Sequence, residues 1–299
     1  MSNPTRFLDP LALSRISNLE LLARTVVDGF ISGLHHSPYL GFSVDFAEHR
    51  AYMPGDDIRR IDWRVFGRTD RLYVKEFEAD TNANMSVLFD VSGSMHYGSG
   101  PITKVEYGKY LAACLTYFSR QQRDRVGIVT FDDDIIEYVP TSAKHMEVVL
   151  HVIDRIRPGE REGGFERPLN KIAQVLTRRS LLVVISDLYE DPDVIIRALA
   201  RLRAKGNDVI VFHLLDPAEV EFPFDEAAQF QDLESGERMP VVPEKLREEY
   251  QGHLETHLAS LKRRMMQNAI DYCFVQTSQP LDHALFDYLA RREQLSRVR

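Results

Sequence analysis

Among the 299 residues there are only two cysteines, Cys114 and Cys273. Each lies among apolar neighbours, so both read as buried thiols and neither suggests a disulfide framework. Long apolar runs are missing too. The longest, Leu181–Ile185 and Val209–Leu215, have the length of strands and fall well short of the roughly 20 residues that cross a bilayer. No membrane span is therefore expected. The opening stretch Met1–Leu13 mixes Asn3, Pro4, Arg6 and Asp9 and lacks the apolar core of a signal peptide, which gives the expectation of a cytoplasmic protein. A basic stripe interleaved with aromatics is also absent, which argues against nucleic acid as a partner. The charge asymmetry that does exist is acidic. Eleven acidic and three basic residues between Asp216 and Glu249 account for the whole net charge of −8, and such a stretch reads as a solvated surface.

What is present is the composition of an ordinary globular protein, 44% hydrophobic and 27% charged, with length enough for a substantial core. Leu11–Leu34 carries apolar residues at helical spacing and is read as one amphipathic helix ending near Gly33. From Gly41 to Asp80 the texture changes to short alternating pieces around the dense run Pro54-Gly55-Asp56-Asp57-Ile58-Arg59-Arg60-Ile61-Asp62-Trp63, whose balanced charges fit an ion-pair network around Trp63. From Ala83 onward, strands alternate with helical stretches, the pattern of a doubly wound, mostly parallel α/β sheet flanked by helices. Thr103 and Glu106 form a capping box for the helix that follows. Val126–Phe131 and Ile135–Val139 read as a hairpin turned by Asp132-Asp133-Asp134, and Asp191-Pro192 opens another helix. Within the acidic stretch, Val220–Phe224 and Phe230–Leu233 look strand-like. The chain thus divides into residues 1–80, an N-terminal helix and charged β extension, and residues 81–299, the α/β domain, with an acidic β/helix insertion at about 216–268.

One loop concentrates the chemistry. A strand ending in Asp90 sets a carboxylate at its C-terminal edge, and Ser92 and Ser94 follow within a tight turn. Hard oxygen donors of this kind suit Mg²⁺, Mn²⁺ or Ca²⁺, and with few protein charges an ion would keep waters and an open position. That position can accept a partner's carboxylate. A second strand ends in Ser186-Asp187, and ligands of open α/β sheets sit where the strand order reverses. If the two strands flank that point, Asp187 faces Asp90. The plainer alternative is that Ser92 or Ser94 caps a helix and Asp187 belongs to a turn.

Asp90-Val91-Ser92-Gly93-Ser94-Met95 after an apolar strand resembles the metal-ion-dependent adhesion motif of von Willebrand factor A domains. His49-Arg50 through Pro54–Arg59, Ile61-Asp62-Trp63, Arg68-Thr69 and Val74-Lys75 to Glu78 is similar to a more specific signature, that of the bacterial family called domain of unknown function 58. Its members are commonly encoded beside MoxR-type AAA+ ATPases. The similarity runs from about Leu34 to Leu289 and includes Phe230–Glu237. It implies a von Willebrand factor A-like fold in which Ser92 and Ser94 touch a metal, Mg²⁺ above all, while Asp90 and Asp187 act directly or through water. It also implies a non-enzymatic adaptor whose partner is a MoxR-type AAA+ ATPase or an acidic client protein. One ligand departs from the pattern: a threonine usually follows the glycine pair of the second loop, and here Gly163-Gly164 is followed by Phe165 and Glu166. Glu166 is the candidate substitute; the alternatives are that it is a charge near a helix start and that the site holds metal weakly or not at all.

Other constellations fit less well. Tyr97-Gly98-Ser99-Gly100 with Lys104 matches neither phosphate-loop spacing. No G-x-S-x-G surrounds Ser92 or Ser94 for a serine hydrolase. A metal-dependent phosphatase using Asp90, and a metal-free scaffold, are the alternatives to the adaptor.

Overall fold

A computed structural model describes residues 9–35, 49–51, 66–67, 71–75, 83–157, 164–176, 178–226, 228–233 and 236–297. Its centre is a six-stranded sheet made by β3 (Asn84–Asp90), β4 (Arg125–Phe131), β5 (Ile135–Ser142), β6 (Leu181–Ser186), β7 (Asp208–Leu215) and β10 (Asp271–Gln276), in the order β10-β7-β6-β3-β4-β5. All neighbours are parallel except the β4/β5 pair, which is an antiparallel hairpin. Two-residue alternation sends side chains to opposite faces of the sheet. Met85, Val87 and Phe89 of β3, with Val183 and Ile185 of β6, enter one apolar cluster. Leu88, Leu182 and Val184 enter the other.

Parallel neighbours need crossover connections, and the helices supply them. The first face is covered by α2 (Leu19–His35), α3 (Lys104–Gln121), α4 (Met146–Arg155) and α9 (Leu281–Arg297). The second is covered by α5 (Glu166–Val175), α6 (Pro192–Ala204) and α8 (Pro243–Gln267). With both faces covered, the central strands become near-continuous apolar runs; β6 is buried at all six positions. Each fully buried Leu, Val, Ile or Phe contributes about 1.5–3 kcal/mol of transfer free energy. α3 lies close against β3 because Gly108 has no side chain: a Cβ there would stand 2.7 Å from Cζ of Phe89.

Chain order explains where a site forms. The chain passes from β3 outward to β4 and β5, then returns to the other side of β3 as β6. The strand order therefore reverses between β3 and β6, and their C-terminal ends part to leave a crevice.

Two sequence expectations differ from the fold. The N-terminal helical pattern is divided into α1 (Pro10–Leu13) and α2. Asp9 caps the first, while the Asn18 side chain accepts the Leu21 N–H at 2.9 Å and starts the second. The buried residues of α2 (Leu22, Ala23, Val26, Val27, Phe30) join the core of the α/β domain. Val220–Phe224 begins as helix. Asp216-Pro217 and Glu219 form a capping box that opens α7 (Pro217–Glu221), and these local bonds win over an alternation of only three apolar residues. Phe222, with φ 49°, closes the helix in the left-handed region. The strands of the insertion are β8 (Ala228–Gln231) and β9 (Arg238–Val241), an antiparallel pair. Of the 1–80 extension, β1 (His49–Ala51) and β2 (Tyr73–Lys75) pair antiparallel, but the charged run around Trp63 lies outside the described residues. So does Gly163.

Candidate metal centre

β3 delivers Asp90 and β6 delivers Asp187 to the crevice between them. Asp90 is 6% exposed and Asp187 2%. Oδ1 of Asp90 accepts the Ser92 N–H at 2.9 Å, and Oδ2 accepts the Ser186 hydroxyl at 2.6 Å. Ser186 in turn accepts the Leu188 N–H at 2.9 Å, so one hydroxyl joins the two loops. Burial, and next the negative charge of Asp187, push the Asp90 carboxyl up to about 7 despite these donors. Two buried carboxylates this close cannot both ionise without cost.

Ser92 precedes a short 3-10 turn, Gly93–His96, but its side chain makes no capping bond. Its hydroxyl instead lies 3.1 Å from that of Ser94, which disfavours the reading of these serines as simple caps. The true cap belongs to the next helix: Thr103 and Glu106 close their capping box at the start of α3. Between the two, Gly98 turns where any Cβ would stand 2.8 Å from the Ile102 carbonyl oxygen.

Asp187 has a divided environment. Its Oδ2 accepts from Nζ of Lys104 at 2.7 Å, whereas among the described residues its buried Oδ1 has no hydrogen-bond partner. The turn that follows is strained, since Leu188 holds φ 53°, a conformation that costs a bulky residue about 1–2 kcal/mol. His213, paired with Ser186 across the β6/β7 ladder, supports this turn from below. Burial pushes its imidazole down to about 3, so it is neutral; it contacts the Asp187 backbone and shares a 2.7 Å hydrogen bond with Tyr272.

The crevice is small, about 10 Å³, and is lined by Asp90, Ser92, Ser94, Gly164, Phe165, Asp187, Tyr189 and Glu190. That is space for about one water-sized species. Four of the five residues singled out from sequence thus meet in one place. Glu166 does not. Its carboxylate is 41% exposed and pairs with Arg201 at 3.0 Å, away from the lining. The preceding residue explains this: Phe165 starts α5 with its ring buried against Phe131 at 5.8 Å, which turns the next side chain outward. The second loop therefore offers an aromatic edge where an oxygen ligand was expected.

Sequence reasoning missed Lys104 and Glu219. Lys104 Nζ also donates to Oε1 of Glu219 at 2.7 Å, and its side chain is 1% exposed. Burial alone would push the amine down, but the two carboxylates outweigh it and hold Lys104 well above the ordinary lysine range. Glu219 was recognisable as the third residue of the Asp216 capping box. Lys104 was weighed only as a phosphate-loop lysine, and nothing local linked it to Asp187.

The donors fit a hard divalent cation in kind: two hydroxyls and two carboxylates, of which that of Asp187 has an oxygen without a partner among the described residues. Among the described residues no cluster of three or more His, Cys, Asp or Glu side chains is placed to hold a metal. An ion here would rest on Asp90, Asp187, the serines and water.

Comparison with known proteins places the chain. Residues 48–260 match the model of the family described as protein of unknown function DUF58. The chain belongs to that family. Its relatives include the uncharacterized proteins Mb1516 of Mycobacterium bovis and Rv1480 of Mycobacterium tuberculosis, each 28% identical over 260 residues that span 85% of this chain and 81% of the relative. Among solved structures, the conserved hypothetical protein BatB from Bacteroides thetaiotaomicron superposes with TM-score 0.51 at 15% identity, covering 71% of this chain and 99% of BatB. An aerotolerance-related membrane protein from Bacteroides fragilis gives 0.50 at 14% identity, covering 70% and 97%. The fold of this DUF58 chain is von Willebrand factor A-like. No helix among its described residues is long and apolar enough to cross a membrane.

Proposed function

We propose that this DUF58 protein is a non-enzymatic interaction module of the cytoplasm, whose β3/β6 crevice holds a divalent ion, Mg²⁺ by preference, and through it an acidic side chain of a partner. The partner is a MoxR-type AAA+ ATPase or a client of that machine, with the ATPase supplying the work of assembly or maturation. The observation that carries the reading is the buried Oδ1 of Asp187, without a hydrogen-bond partner among the described residues, on a side chain that lines the same crevice as Asp90, Ser92 and Ser94. A buried anionic oxygen without a donor is costly unless a cation satisfies it. Asp90, Asp187, Ser92 and Ser94 would hold the ion, which when bound supplies a positive centre with an exchangeable position. Asp90 and Ser186 orient each other, and the strained Leu188 turn aims Asp187.

Calorimetric titration with Mg²⁺, Mn²⁺ and Ca²⁺ tests the ion. Capture of the ATPase with and without chelator, in the wild type and Asp90→Ala, tests the partner. We expect ion binding that Asp90→Ala abolishes and capture that chelator reverses. Absence of ion binding, with capture unchanged in Asp90→Ala, would leave a metal-free scaffold. Turnover of generic phosphoesters that is lost in Asp90→Asn would replace the adaptor with a hydrolase.

A further inference from the structure

Lys104 is an odd residue for its position. It begins α3, where the helix dipole already concentrates partial positive charge, and its side chain is 1% exposed. Lysine is almost never fully buried unless paired, and here the pairing is double: 2.7 Å to Asp187 Oδ2 and 2.7 Å to Glu219 Oε1. Its ammonium also lies 5.8 Å from the centre of the Tyr97 ring. Glu219 is itself fixed, because its Oε2 accepts the Asp216 N–H at 2.7 Å and its carbonyl accepts the Tyr250 hydroxyl at 2.7 Å. Lys104 is therefore held between the crevice and the start of the insertion, and it occupies one oxygen of Asp187 while leaving the other bare.

The charges at this edge are unequal. Asp90, Asp187 and Glu219 against Lys104 leave two negative charges when all are ionised, and Glu190 in the crevice lining adds a third. Without the lysine the total is one charge more negative, in the empty and the loaded crevice alike. Asp216 is adjacent, and the Ser99 and Ala218 N–H groups at 3.0 and 2.8 Å hold its carboxylate; its charge and that of Glu190 are common to every comparison below.

Building on the metal reading above, we propose that Lys104 is a counter-charge built into the crevice: it cancels one of the negative charges that surround the ion. It thereby weakens ion binding and lowers the repulsion that an incoming carboxylate meets. A lysine that only positions Asp187 would have a different signature, and charge-matched variants separate the two roles.

The experiment is calorimetric titration of the full chain with Mn²⁺ at pH 8, with thermal melts to verify folding, for wild type, Lys104→Met, Glu219→Gln and the double variant. The double variant keeps the wild-type charge while losing the ion pair. Under the counter-charge role, Lys104→Met binds Mn²⁺ about tenfold tighter or more, Glu219→Gln binds several-fold weaker, and the double variant stays within about threefold of wild type. If Lys104→Met and the double variant both weaken, Lys104 is a positioning residue and the inference is overturned; equal affinity in all four overturns it as well. Should Lys104→Met fail to fold, Glu219→Gln against the double variant still decides, because only a counter-charge makes the double variant the tighter of the two. A wild type that binds no Mn²⁺ sinks the metal reading itself, whereas a wild type that binds with the wrong order among variants sinks only the role of Lys104.

Discussion

The two ends of the central sheet treat buried polar groups in opposite ways. Where β6 and β7 begin, Asn207 is 2% exposed and fully used: its Oδ1 accepts the Ser180 N–H at 3.0 Å and its Nδ2 donates to the Leu202 carbonyl at 2.9 Å. Asp208 beside it lies 3.6 Å from Arg179 and 3.7 Å from Arg203, and Asp124 accepts the Ala83 N–H at 3.1 Å. At the far end, Asp90 and Asp187 face each other, one oxygen has no donor among the described residues, and Leu188 is left-handed. Buried polar groups cost free energy unless partnered. The first end is arranged as stability alone would select, and the second persists against stability, which is the mark of a binding site.

Substitutions should therefore change stability with opposite signs at the two ends. The largest effect belongs to Asn207→Ala, which strands a buried N–H and a buried carbonyl and should cost about 2–4 kcal/mol in urea unfolding. A loss below about 1 kcal/mol would mean that the amide is replaceable by water.

Asp90→Asn should do the reverse. Burial and Asp187 raise the folded-state carboxyl to about 7, while an unfolded aspartate titrates near 4. The stability this group contributes is thus full below about pH 4 and is lost as pH rises through about 7. Without divalent ion at pH 8, Asp90→Asn should raise Tm by on the order of 5 °C, and the gain should shrink toward pH 5. A fall in Tm at pH 8 would show instead that the donors Ser92 and Ser186 need the carboxylate more than the fold resists it.

A smaller effect is expected at Gly108, which brings α3, the helix that carries Lys104, against Phe89 of β3. Alanine there meets Phe89 and should destabilise by about 1–3 kcal/mol through overpacking, readable in the same urea titrations; a neutral result would mean that Phe89 moves aside. The smallest belongs to Glu166. Because it forms an exposed pair with Arg201, Glu166→Gln should cost less than about 1 kcal/mol and leave Mn²⁺ affinity unaltered. Weakened ion binding would return Glu166 to the site.

Much of this was legible in the chain. β6 was expected to end at Ser186-Asp187, and Thr103 with Glu106 and Asp191 with Pro192 announced their helices, because caps and strand runs are made of bonds between near neighbours. Errors arose where two local signals competed. Residues 11–34 have continuous apolar spacing, but Asn18 restarts the helix. Residues 220–224 alternate like a strand, yet the Asp216 box, present in the sequence and passed over, makes the first of them helical. In the second loop Glu166 had two readings, a substitute oxygen ligand or a charge near a helix start; with the ring of Phe165 packed on Phe131, it stands in the first turn of α5.

By itself, then, the amino-acid sequence determined the inventory of the site: a strand that ends in Asp90, hydroxyls two and four residues on, and another strand that ends in Asp187. Each of these follows from backbone geometry over a few residues. Which strands stand side by side, and so whether the two aspartates meet, was decided only when α2, α3, α4 and α9 buried one face of the sheet and α5, α6 and α8 the other. Tertiary packing likewise brought Lys104 to Asp187 across 83 residues and to Glu219 across 115. A buried cation can be placed there only by a core that has already closed around both partners.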